Sequence, residues 1–79
     1  MIKDKYNIPL FVGANVECIN GEAAAYKDAI WYKGTIRKIE LSRDIKDYYT
    51  IIIDIEDIGI WCEWYYYLKK KTDRIKLIK

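Results

Sequence analysis

The sequence predicts an all-β chain folded into a small five-stranded barrel. Three observations carry this. Short runs of β-branched and aromatic residues recur along the chain, with turn signals between them. A glycine, Gly34, interrupts one of the longest runs, as a sheet that must curl requires. No stretch carries an apolar stripe long enough for a stable helix. At 79 residues the chain is one domain at most. A domain this small buries roughly 60% of its unfolded surface, so most large apolar side chains must go inside.

The elements follow in order. Residues 1–10 hold the only proline, Pro9, and read as a loose lead-in to a domain spanning 11–79. Phe11 is the first expected core anchor. Val12 to Ile19 reads as the first strand, with Val16 and Cys18 on one face. Asn20-Gly21 is a strong turn dipeptide, and 22–28 reads as a long loop. Ile30 to Glu40 is the second strand. Its apolar Ile36 and Ile39 lie three apart, so the alternation slips by one, and a bulge nearby would repair it. Leu41 to Asp47 is a charged connection. Tyr48 to Ile55 is the clearest strand, and its Ile51-Ile52-Ile53 run suggests burial on both faces. Glu56 to Gly59 is an acidic turn. Ile60 to Tyr65 is the fourth strand, Tyr66 to Lys71 a short helical turn near the C-terminus, and Arg74 to Ile78 a fifth short strand. Closure removes the exposed edges that a chain rich in Ile and Tyr must avoid. An SH3-like barrel fits this length better than an OB-fold. The expected core is Phe11, Val16, Ile36, Ile51, Ile53 and Trp64.

The formal charge of +2 sets up no strong overall field. Its distribution is uneven. Residues 50–64 contain Asp54, Glu56, Asp57 and Glu63 and no base, whereas 69–79 contain Lys69, Lys70, Lys71, Arg74, Lys76 and Lys79 against Asp73. Cys18 and Cys62, with no histidine in the chain, make no zinc site and read as two reduced, part-buried thiols of an intracellular protein. There is no signal peptide and no apolar run near bilayer-spanning length. Catalysis is disfavoured. The chain has no histidine, Ser42 is its one serine, and it has no glycine-rich phosphate loop. No cofactor is expected.

Several segments resemble one group of domains. Val12-Gly13-Ala14-Asn15-Val16-Glu17-Cys18 is similar to the opening strand of Tudor, chromo-barrel and Agenet domains. Trp31-Tyr32-Lys33-Gly34-Thr35-Ile36 is similar to their second strand, and Tyr48-Tyr49-Thr50-Ile51-Ile52 to their third. Trp61-Cys62-Glu63-Trp64 resembles the chromo-barrel W/L-D-E-W signature, with Cys62 in place of Asp. Thr72-Asp73-Arg74-Ile75 is similar to a stretch found after that signature in MYST-type histone acetyltransferases. The likeness runs over residues 11–78. It departs from the pattern in a longer 20–29 loop, a longer 54–60 connection and the extra 65–71 segment.

The resemblance implies a nuclear chromatin-targeting module, monomeric when isolated, whose parent chain is a lysine acetyltransferase. Its ligand is a histone tail, with methyl-lysine held in an aromatic cage by cation–π attraction and a nearby carboxylate. Carried over by position, Tyr32 and Trp61 are cage rings and Trp64 is a core tryptophan. Asp57 or Glu63 is the charge partner. The third strand offers Ile53, Asp54 or Ile55 where such readers have a ring, so the cage is incomplete unless Tyr48 or Trp31 completes it. Two rings and a carboxylate supply about 1–2 kcal/mol and a millimolar affinity. Members of the group without a full cage bind RNA, and here Lys33, Arg37, Lys38, Lys69, Lys70, Lys71 and Arg74 would meet phosphates while tyrosines at 65–67 stack bases. A third class is a protein-docking module with no small ligand.

Overall fold

The computed structural model describes residues 2–19, 30–66 and 71–78, with the backbone alone for 63–66. Five strands form one antiparallel sheet: β1 (Asn15–Cys18), β2 (Tyr32–Leu41), β3 (Tyr48–Ile55), β4 (Gly59–Tyr66) and β5 (Ile75–Leu77). Their order is β4-β3-β2-β1-β5, so the last strand returns beside the first, as in an SH3-like barrel. The inner face carries Val16 and Cys18 from β1, Ile36 from β2, Ile51, Ile53 and Ile55 from β3, and Ile75 from β5, all within 1% of full burial. Tyr32, Ile39, Tyr49, Trp61 and Leu77 pack against this cluster from its rim. The expected loop at 20–29, the helical turn at 67–70 and the Trp64 side chain lie outside the described residues. Tyr66, placed in that helical turn by the sequence, ends β4.

The bulge expected in the second strand is present. Ile36 pairs with Ile53, but Lys38 pairs with Ile52, so Arg37 is the extra residue. It restores the inward phase, with Ile36 buried before it and Ile39 packed on the core after it. Gly34 is needed for a second reason. A Cβ there would lie 2.8 Å from the Asp54 carbonyl oxygen and 2.9 Å from side-chain atoms of Ile53 and Ile55. The approach of β3 to β2 at this pairing leaves no room for a Cβ.

The first ten residues are not a loose lead-in. Ile2 and Leu10 are buried, and the Leu10 N–H donates to Ile2 O at 2.9 Å, closing a tight turn that passes through Asn7 at φ 66°. Inside this turn the Asp4 carboxylate is fully buried. Its Oδ1 accepts the N–H groups of Tyr6 at 2.9 Å and Ile8 at 2.8 Å, and its Oδ2 accepts the N–H of Leu77 at 2.8 Å. The Lys5 N–H donates to Ile75 O at 2.9 Å. The segment thereby satisfies the outward backbone groups of β5, which would otherwise form an open edge.

Phe11 is not in the core. It is 56% exposed, because the chain reverses at 11–14, where Ala14 N–H donates to Phe11 O and Gly13 takes φ 93°. Leu10 fills the core position instead. Cys62 is also not part-buried. It is exposed on the outer face of β4, whereas Cys18 is buried.

Two stability outcomes follow. Asp4→Ala removes the acceptor of three part-buried N–H donors and should cost about 2–3 kcal/mol in urea unfolding. Gly34→Ala should cost about 1–3 kcal/mol in the same measurement, because β3 must move to admit the methyl group. A Gly34→Ala variant as stable as the parent would mean that the two strands are not held at this distance.

Candidate functional site

Inward alternation along β2 puts Tyr32, Gly34 and Ile36 on one face. On β4, Trp61 is paired directly with Ile53 and shares its inner face. Between Tyr32 and Trp61 the inner row reads Gly34, Ile55, Gly59, since Ile55 pairs with a glycine on each side. A single aliphatic side chain thus separates two aromatic rings, and they reach across it. Their centroids lie 6.1 Å apart with planes tilted by 44°. Both residues are half-buried, so each ring has one part on the core and one part at the rim. The two cage rings carried over from the sequence therefore stand together.

Asp57 lies at the same end of the barrel. The Glu56 N–H donates to Lys33 O, and the turn closes through Ile58 N–H to Ile55 O. Asp57 sits within that turn at φ 64°, exposed, one residue beyond the pairing with Lys33. Glu63, the other expected charge partner, has its side chain outside the described residues.

The expected third wall is not at this corner. Ile53 and Ile55 are buried, and Asp54 faces outward, 3.1 Å from Arg37. Tyr48 starts β3 at the opposite end of the strand and alternates with the core-packed Tyr49, so it faces outward. Trp31 precedes Tyr32 and takes the opposite face. There the Lys76 ammonium lies 3.7 Å from the centre of its ring and the Lys5 ammonium 5.6 Å. Neither residue can complete a cage with Tyr32 and Trp61 in this register.

The basic residues divide into two sets. Arg37 and Lys38 are each held by a carboxylate, Asp54 and Glu40, at 3.1 Å. Lys33, Lys71 and Arg74 are exposed, and Lys71 bridges to Lys3. Lys69, Lys70 and the tyrosine at 67 lie outside the described residues, as do the side chains of 65 and 66. Sequence reasoning missed Lys5, which the N-terminal turn brings beside β5, and Lys3, which it brings beside Lys71. The lysines of the lead-in would have signalled them only to a reader who expected that segment to fold back. Among the described residues no group of three His, Cys, Asp or Glu side chains could hold a metal ion. No family model, curated protein or solved structure matches the chain.

The contact between Trp31 and Lys76 can be measured separately. A double-mutant cycle with Trp31→Leu and Lys76→Met should give a coupling of about 0.5–2 kcal/mol in unfolding free energy, the range of a half-buried cation–π pair.

Proposed function

We propose that this domain is a non-catalytic, chromatin-targeting module that takes a methylated lysine of a histone tail at the corner formed by Tyr32 and Trp61. The single observation that carries the proposal is the meeting of these two half-exposed rings at 6.1 Å over the Gly34–Ile55–Gly59 row. A quaternary or dimethylated ammonium is large, weakly hydrated and cationic, so it gains both cation–π attraction and burial of its methyl groups between two rings. The exposed carboxylate of Asp57 at the same end adds attraction for the cation. With two rings instead of three or four, affinity is low, and the module acts by adding to other contacts of its parent chain. That parent, on this proposal, is a nuclear lysine acetyltransferase of the MYST type.

A second reading, binding of nucleic acid, is favoured by the other tryptophan. Trp31 is half-buried with Lys5 and Lys76 beside its ring, and exposed Lys33 lies two residues along on the same face. This combines an aromatic surface with cations, as single-strand binding requires. Against it, Arg37 and Lys38 already pair with carboxylates, and Lys76 covers one face of the ring.

Titration of isotope-labelled protein with histone-tail peptides bearing unmodified, dimethyl- and trimethyl-lysine tests the first reading. Amide and indole shifts at Tyr32 and Trp61 should saturate in the millimolar range with the methylated peptides. They should vanish in Trp61→Ala and persist in Trp31→Leu. Salt-sensitive shifts around Trp31, produced by short RNA and with no response to any peptide, would instead support the second reading.

A further inference from the structure

The two edges of the sheet are treated differently. The β5 edge is closed by residues 3–5, through the Lys5 N–H to Ile75 O and Leu77 N–H to Asp4 Oδ2 bonds. At the other edge, among the described residues, β4 pairs with β3 alone. The direction of its backbone groups can be worked out. The Glu56 N–H donates to Lys33 O, so Glu56 and Asp54 turn their backbone groups towards β2, and Ile55, Ile53 and Ile51 turn theirs towards β4. Their partners Gly59, Trp61 and Glu63 answer them. Ile60 and Cys62 therefore present N–H and C=O groups on the outer side of the sheet.

Among the described residues this edge lacks a bulge, a proline and a basic side chain. Residues 59–66 contain no lysine, arginine or proline, and the β3–β4 ladder has no register shift. Ile60 is 67% exposed, Ile58 57% exposed, and Cys62 is exposed. Asp54 is paired with Arg37, and the exposed charge at the start of the edge is acidic. Residues 50–64 hold Asp54, Glu56, Asp57 and Glu63 and no base, and Glu56 and Asp57 are exposed in the turn that begins the strand. A second copy of β4 would bring acid against acid. A basic segment would not.

We propose that the outer edge of β4 binds an extended, basic peptide as an added sixth strand. This deepens the methyl-lysine reading and rests on it: the peptide residue opposite Trp61 points to the inner side of the sheet and lays its side chain against that ring. Main-chain hydrogen bonds then provide the affinity that two rings lack, and the aromatic corner selects one side chain.

Backbone N-methylation of the ligand is the direct test. Ten-residue lysine-rich peptides carrying one trimethyl-lysine are compared with versions N-methylated at alternate residues, in the two possible phases. One phase should weaken binding at least about tenfold and the other leave it nearly unchanged, because only alternate N–H groups face β4. Cys62→Pro removes an outward N–H without touching the β3 ladder and should weaken binding similarly, with the amide spectrum of the barrel retained. The outcomes are separable. Binding that is lost in Trp61→Ala but indifferent to both N-methyl phases and to Cys62→Pro overturns the added strand and leaves the methyl-lysine corner standing. Binding that is sensitive to one N-methyl phase but indifferent to Trp61→Ala and to lysine methylation keeps the strand and removes the corner. Shifts along β4 that depend on protein concentration alone identify a second copy as the occupant and overturn the peptide. No response to any of the peptides overturns both.

Discussion

The fold depends on one buried carboxylate. Asp4 has no access to water and is held by three backbone N–H donors, two from its own turn and one from Leu77 at the far end of the chain. A charge removed from water in this way is tolerable only if its lone pairs are met by donors of good geometry. The constraint works in both directions. The carboxylate needs the N-terminal turn to stay folded around it, and β5, only three residues long, needs the carboxylate to satisfy its outer N–H. Segments 73 positions apart in the sequence are joined by this bond. Once they are joined, Ile2 and Leu10 complete the core beside Val16 and Ile75.

From this closure the rest of the barrel can be traced. β5 lies against β1, with Cys18 opposite Ile75 and Val16 opposite Leu77, and β1 lies against the first half of β2. The sheet must then curl sharply so that the same inner face can be covered by β3. Gly34 allows the close approach, and the bulge at Arg37 absorbs the change of phase. Those two features also decide the fate of the aromatic residues. The phase upstream of the bulge sends Tyr32 inward to Trp61 and Trp31 outward to Lys76, so neighbouring rings serve opposite faces.

Much of this was legible in the sequence where the pattern was local. The β3 limits, Tyr48 and Ile55, follow from an unbroken run of strand formers between a charged connection and an acidic turn, and the structure gives the same limits. The three-residue spacing of Ile36 and Ile39 announced the bulge, because a strict period of two cannot bury both. The resemblance pairs Tyr32 with Trp61, and the structure places their rings 6.1 Å apart. What failed was non-local. Nothing adjacent to Asp4 says that its partner is Leu77, and a short segment of mixed composition with a proline looks like a loose lead-in until its contacts are known. Hydrophobicity alone points Phe11 into the core, whereas the reversal at Gly13 hands that place to Leu10. The positions of Tyr48 and Trp31 depended on register, which the ladder fixed against them.

The corner formed by Tyr32 and Trp61 has a physical consequence that two loose surface rings would not have. Each ring is partly packed on the core cluster, so its orientation is set by the same contacts that hold the barrel together. Little rotamer freedom remains to be lost when a ligand arrives, and that loss is a main cost of binding on a flexible surface. The same packing limits what the corner can do. The inner row has space for only one aliphatic side chain between two glycines, so a third ring from β3 could enter only by displacing Ile53 or Ile55 from the core. A stronger cage would therefore weaken the barrel. A small domain in this position gains affinity more readily from elements outside its core, such as the rim, the acidic turn and the edge of β4.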